Sequence, residues 1–179
     1  MGGEHIDVVP VSAPAVDGPA ASAATEQARS GEDVVVIRLV GGRYAVAMSA
    51  VVEVGRLPQV TRVPGLPTWL VGVANWRGRV LAVVDVRGLL GSALTPVSSS
   101  GRLLVLRRDG LVLGLVTEGV EAVSEALDET VEPALVTLPP AAAALLSGQL
   151  TDAAGPLGIL DLAAVFALAD TLPRARRAG

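Results

Sequence analysis

A chain of 179 residues, 51% hydrophobic and 2% aromatic, has the length of one domain or of two small halves sharing a core. It has no cysteine, its fourteen basic residues are all arginine, and its single histidine is His5, near the start. These absences exclude a cysteine-based metal site, a disulfide scaffold, a thiol nucleophile, a Ser-His-Asp triad, a lysine Schiff base and a P-loop, and a net charge of −4 argues against a nucleic-acid partner.

Residues 1–31 are rich in Ala, Pro, Ser and Gly, which predicts a flexible tail. Glu4, His5 and Asp7 do not fit the basic region and apolar core of a signal peptide, so the cytoplasm is the expected compartment. The β-branched run Val34 to Val40, bounded by Gly41-Gly42, predicts a strand and a hairpin, with Tyr44 to Met48 as the return strand. Val51 to Gly55 is a third candidate strand. Pro58, Pro64 and Pro67 punctuate the loop that follows. Leu70 to Trp76 and Val80 to Val84 flank a tight turn at Arg77-Gly78, and Val86 to Leu90 fits one helical turn ended by Gly91.

A Ser/Pro/Gly linker from Thr95 to Gly101 divides the sequence. Leu103 to Leu106 and Leu111 to Val116 flank Asp109-Gly110, the strongest two-residue hairpin signal present. The acidic stretch Glu118 to Glu132 lacks EF-hand spacing and reads as solvated surface. Pro139 to Ser147 predicts a short helix opened by proline. Asp161 suits the N-cap of a last helix reaching Ala169, with Leu162, Val165, Phe166 and Ala169 on one face. The longest uncharged stretch, Pro133 to Thr151, is broken by Pro139-Pro140, so no membrane insertion is expected.

The second half echoes the first. At an offset of 69 residues, Val34–Arg38 falls on Leu103–Arg107, Gly41 on Gly110, Val51 on Val120 and Val54 on Val123. At an offset of 76, Leu70 falls on Leu146, Gly72 on Gly148, Leu81 on Leu157 and Asp85 on Asp161. Coincident Gly, Asp and turn positions predict a duplicated β unit, expected as two small barrels side by side.

The segment Gln59–Leu90, with Gly72-Val-Ala-Asn75-Trp-Arg77-Gly78 and Asp85-Val-Arg87, resembles the CheW family of chemotaxis coupling proteins. The resemblance runs from about residue 33 to 170. It implies a mainly β fold of two SH3-like five-stranded barrels with a few short helices, one of them C-terminal. The expected division is a tail over 1–31, a domain over 32–170 with barrels at about 32–92 and 102–170, and a second tail over 171–179. It further implies a non-catalytic scaffold without cofactor or metal, coupling the cytoplasmic tip of methyl-accepting chemoreceptors to the regulatory domain of a CheA-type histidine kinase.

On this resemblance Arg77 is the leading receptor-binding residue, a turn-borne guanidinium offering its fork of donors to a carboxylate or a helix carbonyl. Trp76 beside it is either an interface anchor or a cover for the barrel end. Leu104, Leu113 and Gly114 fall at positions that resemble a receptor-contacting groove, although aliphatic strand residues are ordinarily core. Val51 and Glu53 resemble the kinase-binding positions. Asn75 and Gly78 read as turn residues, and Asp85 and Asp161 as structural carboxylates. Two alternatives stand beside this reading. One is a CheW-like adaptor in a kinase pathway for pilus motility or gene expression; the other is a small-molecule-binding or hydrolytic β-barrel built on carboxylates.

Overall fold

The computed structural model describes residues 33–92, 101–124, 132–133 and 138–170. Both expected tails, most of the Thr95–Gly101 linker and residues 125–131 of the acidic stretch lie outside the described residues. The protein is mainly β. Its strands are β1 (Val34–Leu39), β2 (Gly42–Ala47), β3 (Val51–Arg56), β4 (Val60–Thr61), β5 (Leu70–Trp76), β6 (Arg79–Val84), β7 (Arg102–Arg108), β8 (Leu111–Thr117), β9 (Gly119–Ser124), β10 (Leu146–Asp152) and β11 (Gly155–Leu160). Helix α1 (Pro140–Ala143) opens on its proline, and α2 (Leu162–Asp170) follows β11. Val86 to Gly91 forms a hydrogen-bonded turn rather than a named helix, with the amides of Leu89 and Leu90 both donating to the Val86 carbonyl.

Three hairpins turn through pairs of left-handed residues, Val40-Gly41, Arg77-Gly78 and Asp109-Gly110, with φ of 56° and 70°, 52° and 78°, and 49° and 79°. This is the type I′ geometry whose twist matches that of the flanking strands.

The strands form a five-stranded sheet in the order β10-β11-β2-β1-β9 and a six-stranded sheet in the order β3-β7-β8-β6-β5-β4. Two sequence expectations change here. The second sheet gains a sixth, two-residue strand, β4, which an isolated bridge between Glu132 and Gln149 echoes in the first. The sheets also do not divide at the linker. The hairpin β1–β2 joins strands of the second half, and the hairpin β7–β8 joins strands of the first. Each half lends a hairpin to the other's sheet, so barrels contiguous in sequence at 32–92 and 102–170 are not what forms.

The two offsets read from the sequence nevertheless hold pair for pair across this exchange. Val36 faces Ala122 in β1–β9 and Val105 faces Glu53 in β7–β3, each shifted by 69 residues. Both ladders carry their register shift at the equivalent place, between Val36 and Ile37 and between Val51 and Glu53. The parallel pair Gly158–Tyr44 is repeated as Ala82–Leu113, and Ile159–Ala45 as Val83–Gly114.

This pairing explains the aliphatic composition. Along β1, Val34 and Val36 lie in a cluster with Leu150, Leu157 and Ile159 inside the first sheet, whereas Val35, Ile37 and Leu39 enter a larger cluster shared with Leu104, Leu106, Leu113 and Leu115. In β7, Leu103 and Val105 face inside the second sheet while Leu104 and Leu106 face the shared core. A strand covered on both faces reads as a continuous apolar run instead of alternating. The shared core is completed by Trp69, Leu70, Leu145 and, from α2, Leu162, Val165 and Phe166. Each such buried side chain contributes roughly 1.5–3 kcal/mol of transfer free energy. The two sheets are therefore held as one body by apolar packing.

Candidate partner-binding site

The β5–β6 turn is locally determined. Asn75 Oδ1 accepts a hydrogen bond from the Gly78 amide at 2.9 Å, closing the turn, and leaves Arg77 with its side chain 71% exposed. The Arg77 guanidinium lies 5.6 Å from the centroid of the Trp76 ring. Glu53 Oε2 accepts from Trp76 Nε1 at 3.0 Å and from Arg77 Nη2 at 2.8 Å. One carboxylate oxygen thus holds the indole and the guanidinium together. Glu53 on β3 and Trp76 on β5 are far apart in the strand order, yet β3 leads into β4, which pairs with β5, so the sheet curls to bring them together.

Trp76 is half-buried against the cluster of Leu81, Val83 and Leu103, so its ring covers the end of the second sheet while its N–H orients Glu53. The resulting surface presents an exposed cation above an aromatic face. It suits a partner's carboxylate or the carbonyl end of a helix.

The sequence assigns Glu53 to one partner and Arg77 with Trp76 to another. The structure joins them in a single cluster. Val51 is half-buried against the shared core, and the residues that β3 turns outward are Val52, Val54 and Arg56. The register shift between Val51 and Glu53 places the bulge at Val52.

Leu104, Leu113 and Gly114 require correction as receptor contacts. Leu104 is 0% and Leu113 2% exposed, both in the shared core. Gly114 is a packing glycine, because a Cβ there would stand 2.7 Å from Leu103 Cδ1 and 3.1 Å from Leu81 Cδ2. Strands covered on both faces leave these residues nothing to offer a partner.

The structural carboxylates also differ from each other. Asp161 Oδ1 accepts from the Ala164 amide at 3.1 Å, the bond an N-cap makes at the head of α2. Asp85, its equivalent in the repeat, heads a turn and binds Arg87 instead. Its carboxylate accepts from the Arg87 amide at 3.0 Å and from Nε and Nη2 at 3.0 and 2.8 Å, with both side chains 6% exposed. The hydrogen bonds to Asp85 raise the Arg87 pKa above its ordinary value against the opposing effect of burial. Arg87 Nη1 also approaches Glu118 at 3.9 Å, and the Glu118 carboxylate accepts from the amides of Val40 and Gly41 at 3.2 and 3.3 Å. Burial, and then the nearby charge of Glu118, raise the Tyr44 pKa.

Sequence reading also missed a clasp across the five-stranded sheet. Arg43 on β2 binds Asp152 through Nη1 at 2.6 Å and Nη2 at 2.8 Å, and Glu121 through Nε at 2.9 Å. It ties β10 to β9, the two outer strands of the sheet order. No local signal links residues 109 positions apart. The start of the acidic stretch is accordingly strand β9 and its contacts rather than plain solvated surface.

The guanidinium of Arg43 holds the Asp152 carboxyl below its ordinary value of 3.8. A carboxylate with a depressed folded pKa stabilises the fold above its unfolded pKa, and that contribution disappears as pH falls through the folded value. The stability gap between the native chain and Asp152→Asn is therefore expected in full at pH 7 and to close progressively below about pH 4. Thermal melts of both proteins between pH 7 and pH 2 measure this. A gap that stays constant across the range contradicts the assignment.

Among the described residues no group of three or more His, Cys, Asp or Glu is placed to hold a metal ion, and no helix is long and apolar enough to cross a membrane.

Comparison with known proteins agrees with this architecture. Protein PilI of Pseudomonas aeruginosa is 43% identical over 81 residues, covering 45% of this chain and 46% of PilI, so the match spans under half of that relative. Chemotaxis protein CheW of Bacillus subtilis is 26% identical over 110 residues, 62% of this chain and 70% of that protein. CheW of Klebsiella aerogenes is 27% identical over 128 residues, 72% and 74% of the two chains. The crystal structure of the scaffolding protein TtCheW from Thermoanaerobacter tengcongensis superposes with a TM-score of 0.64 at 23% identity, covering 73% of this chain and 88% of that one, a likeness of fold. The family model of the CheW-like domain matches residues 33–170. With its two interlocked sheets and its Asn75–Gly78 turn inside that span, the chain belongs to the CheW-like domain family.

Proposed function

We propose that this protein is a non-catalytic adaptor that couples a chemoreceptor's cytoplasmic tip to the regulatory domain of a CheA-type histidine kinase. The observation that carries the reading is the Arg77–Trp76–Glu53 cluster, an exposed guanidinium set on a rigid type I′ turn within the motif that resembles the family's coupling segment. In this reading Arg77 and Trp76 meet the receptor, and the neighbouring β3 edge, with Val51 and Glu53, meets the kinase domain. No bond is made or broken by the adaptor. Tethering two weakly held partners raises their effective concentration, and a receptor change then shifts the kinase through the shared contacts. The sharing of Glu53 between β3 and the Arg77 turn gives those contacts a physical connection, because a partner that draws Arg77 away also frees Glu53.

Arg77→Glu is expected to weaken co-sedimentation with a receptor cytoplasmic fragment by about tenfold, since it replaces the attracting charge with a repelling one. The fold is expected to survive, because an exposed ion pair of this kind contributes only about 0–1 kcal/mol. Circular dichroism melts alongside the sedimentation assay check both halves. Unchanged receptor binding by a folded variant removes Arg77 from the interface.

The 43% identity with PilI favours a second reading, an adaptor of the same kind serving a pilus motility pathway. Pulldown with the receptor and kinase of each system from the same source separates the two. Localisation at a membrane-associated receptor array in the cytoplasm follows from either one.

A further inference from the structure

Strand β3 is an outer strand of the six-stranded sheet, and it turns Val52, Val54 and Arg56 to solvent, with the two valines 39% and 43% exposed. An outer strand with exposed valines offers unpaired backbone groups and an apolar face for another strand to join. Its pseudo-equivalent is β9, another outer strand, where the repeat offset sets Glu121 and Val123 against Val52 and Val54. Both strands expose a valine, Val123 being 59% exposed. They differ in charge.

The N-terminal segment carries a run with the same spacing. In an extended strand Glu4, Ile6 and Val8 share one face, since side chains alternate. Laid antiparallel on β3, they place Glu4 opposite Arg56, Ile6 opposite Val54 and Val8 opposite Val52, so charge meets countercharge and apolar meets apolar. On the other face Asp7 falls opposite Glu53, where the exposed Arg77 guanidinium already stands and can serve both carboxylates. The same register on β9 sets Val8 against Glu121, an apolar side chain against a carboxylate that Arg43 already holds. Reach is no obstacle. About 25 residues separate Val8 from Val34, enough chain to span roughly 80 Å, whereas a domain of this size is on the order of 40 Å across.

We propose that residues Glu4–Val8 add to the free edge of β3 as an antiparallel strand, so that the chain's own N-terminal segment is the resident occupant of that edge. A contact of three side chains is weak between separate molecules. Tethering at millimolar effective concentration is what populates it. The docking does not depend on the functional reading above.

The absence of cysteine from the chain makes the test direct. In the full-length protein, the pairs Ile6→Cys with Val54→Cys and Ile6→Cys with Val123→Cys are compared under mild oxidation at micromolar concentration. Opposed positions on paired strands have the Cβ separation a disulfide needs. The intramolecular disulfide is expected to form about tenfold faster at Val54 than at Val123. Adding Glu4→Arg to the first pair is expected to slow it about threefold, and adding Arg56→Glu as well is expected to restore it. Equal rates at the two edges, or a rate indifferent to both charge changes, overturn the proposal. Because neither kinase nor receptor is present, failure here leaves the adaptor reading to its own test.

Discussion

Arg87→Ala is expected to lower the stability of the fold by about 3–5 kcal/mol, among the largest single-residue effects in the molecule. Arg87 and Asp85 are joined through the guanidinium and the Arg87 amide, and both side chains are 6% exposed. Truncating the arginine strands a carboxylate that solvent cannot reach, and the desolvation cost of that unpaired group dominates the loss. The effect extends further, because Arg87 also approaches Glu118, whose carboxylate holds the Val40 and Gly41 amides of the first hairpin turn. Valine at a φ of 56° is a strained choice for a β-branched residue, so that turn depends on its external partner. Chemical denaturation of Arg87→Ala, Asp85→Ala and the double variant makes the measurement. The double variant is expected to lose clearly less than the sum of the singles, since it leaves no orphaned charge. Strict additivity contradicts the pairing.

Gly72→Ala is expected to cost about 2–4 kcal/mol. Gly72 has a φ of 149°, and a Cβ at that position would collide with the carbonyl oxygen of Thr61 and stand 3.1 Å from the Arg62 Cα. The obstacle is backbone, which cannot rotate aside as a side chain can. Relief requires separating β4 from β5, where Val60 pairs with Ala74 and Thr61 with Val73. That pairing closes the sheet between β3 and β5, so the same substitution is expected to loosen the Glu53–Trp76 contact. Denaturation midpoints report the first effect, and Trp76 fluorescence in a Trp69→Phe background reports the second. A wild-type midpoint for Gly72→Ala removes the close approach from the account.

The local elements were legible because their signals are local. Val34–Val40 and Leu103–Leu106 announce strands by β-branched and aliphatic runs, the turns announce themselves by Gly41, Gly78 and Gly110, and Asp161 stands where a helix needs a cap. The 69- and 76-residue offsets were legible as well, and they survive as ladder registers. What the repeat could not reveal is which copy of the hairpin each sheet takes. Exchange between identical patterns preserves every pairwise register, so hydrophobic pattern alone does not distinguish the two topologies.

Burial of Leu104 and Leu113 was in principle readable from the runs Leu103–Leu106 and Leu111–Val116. Consecutive aliphatics along one strand leave no face for solvent, so a shared core follows. The family resemblance drew attention to those positions as contacts, and packing decided otherwise. Glu53 and Arg77 were each singled out, but their meeting depends on the curl of the sheet through β4, a two-residue strand too short for any periodic signal. Strand β9 was hidden for a related reason. Its Glu121 reads as surface charge until Arg43 is placed beside it by β1 and β2.

On the proposed adaptor function, this chain bridges a chemoreceptor and a kinase regulatory domain. The most direct measurement is sedimentation of a clustered receptor cytoplasmic fragment with the kinase regulatory domain, both from the same source, with and without the chain. The kinase domain is expected in the pellet only when the chain is present, and Arg77→Glu is expected to remove both the chain and the kinase domain from it while the chain still binds the kinase domain in solution. Pelleting of the kinase domain that is indifferent to the chain, or a folded chain that binds neither partner, contradicts the account.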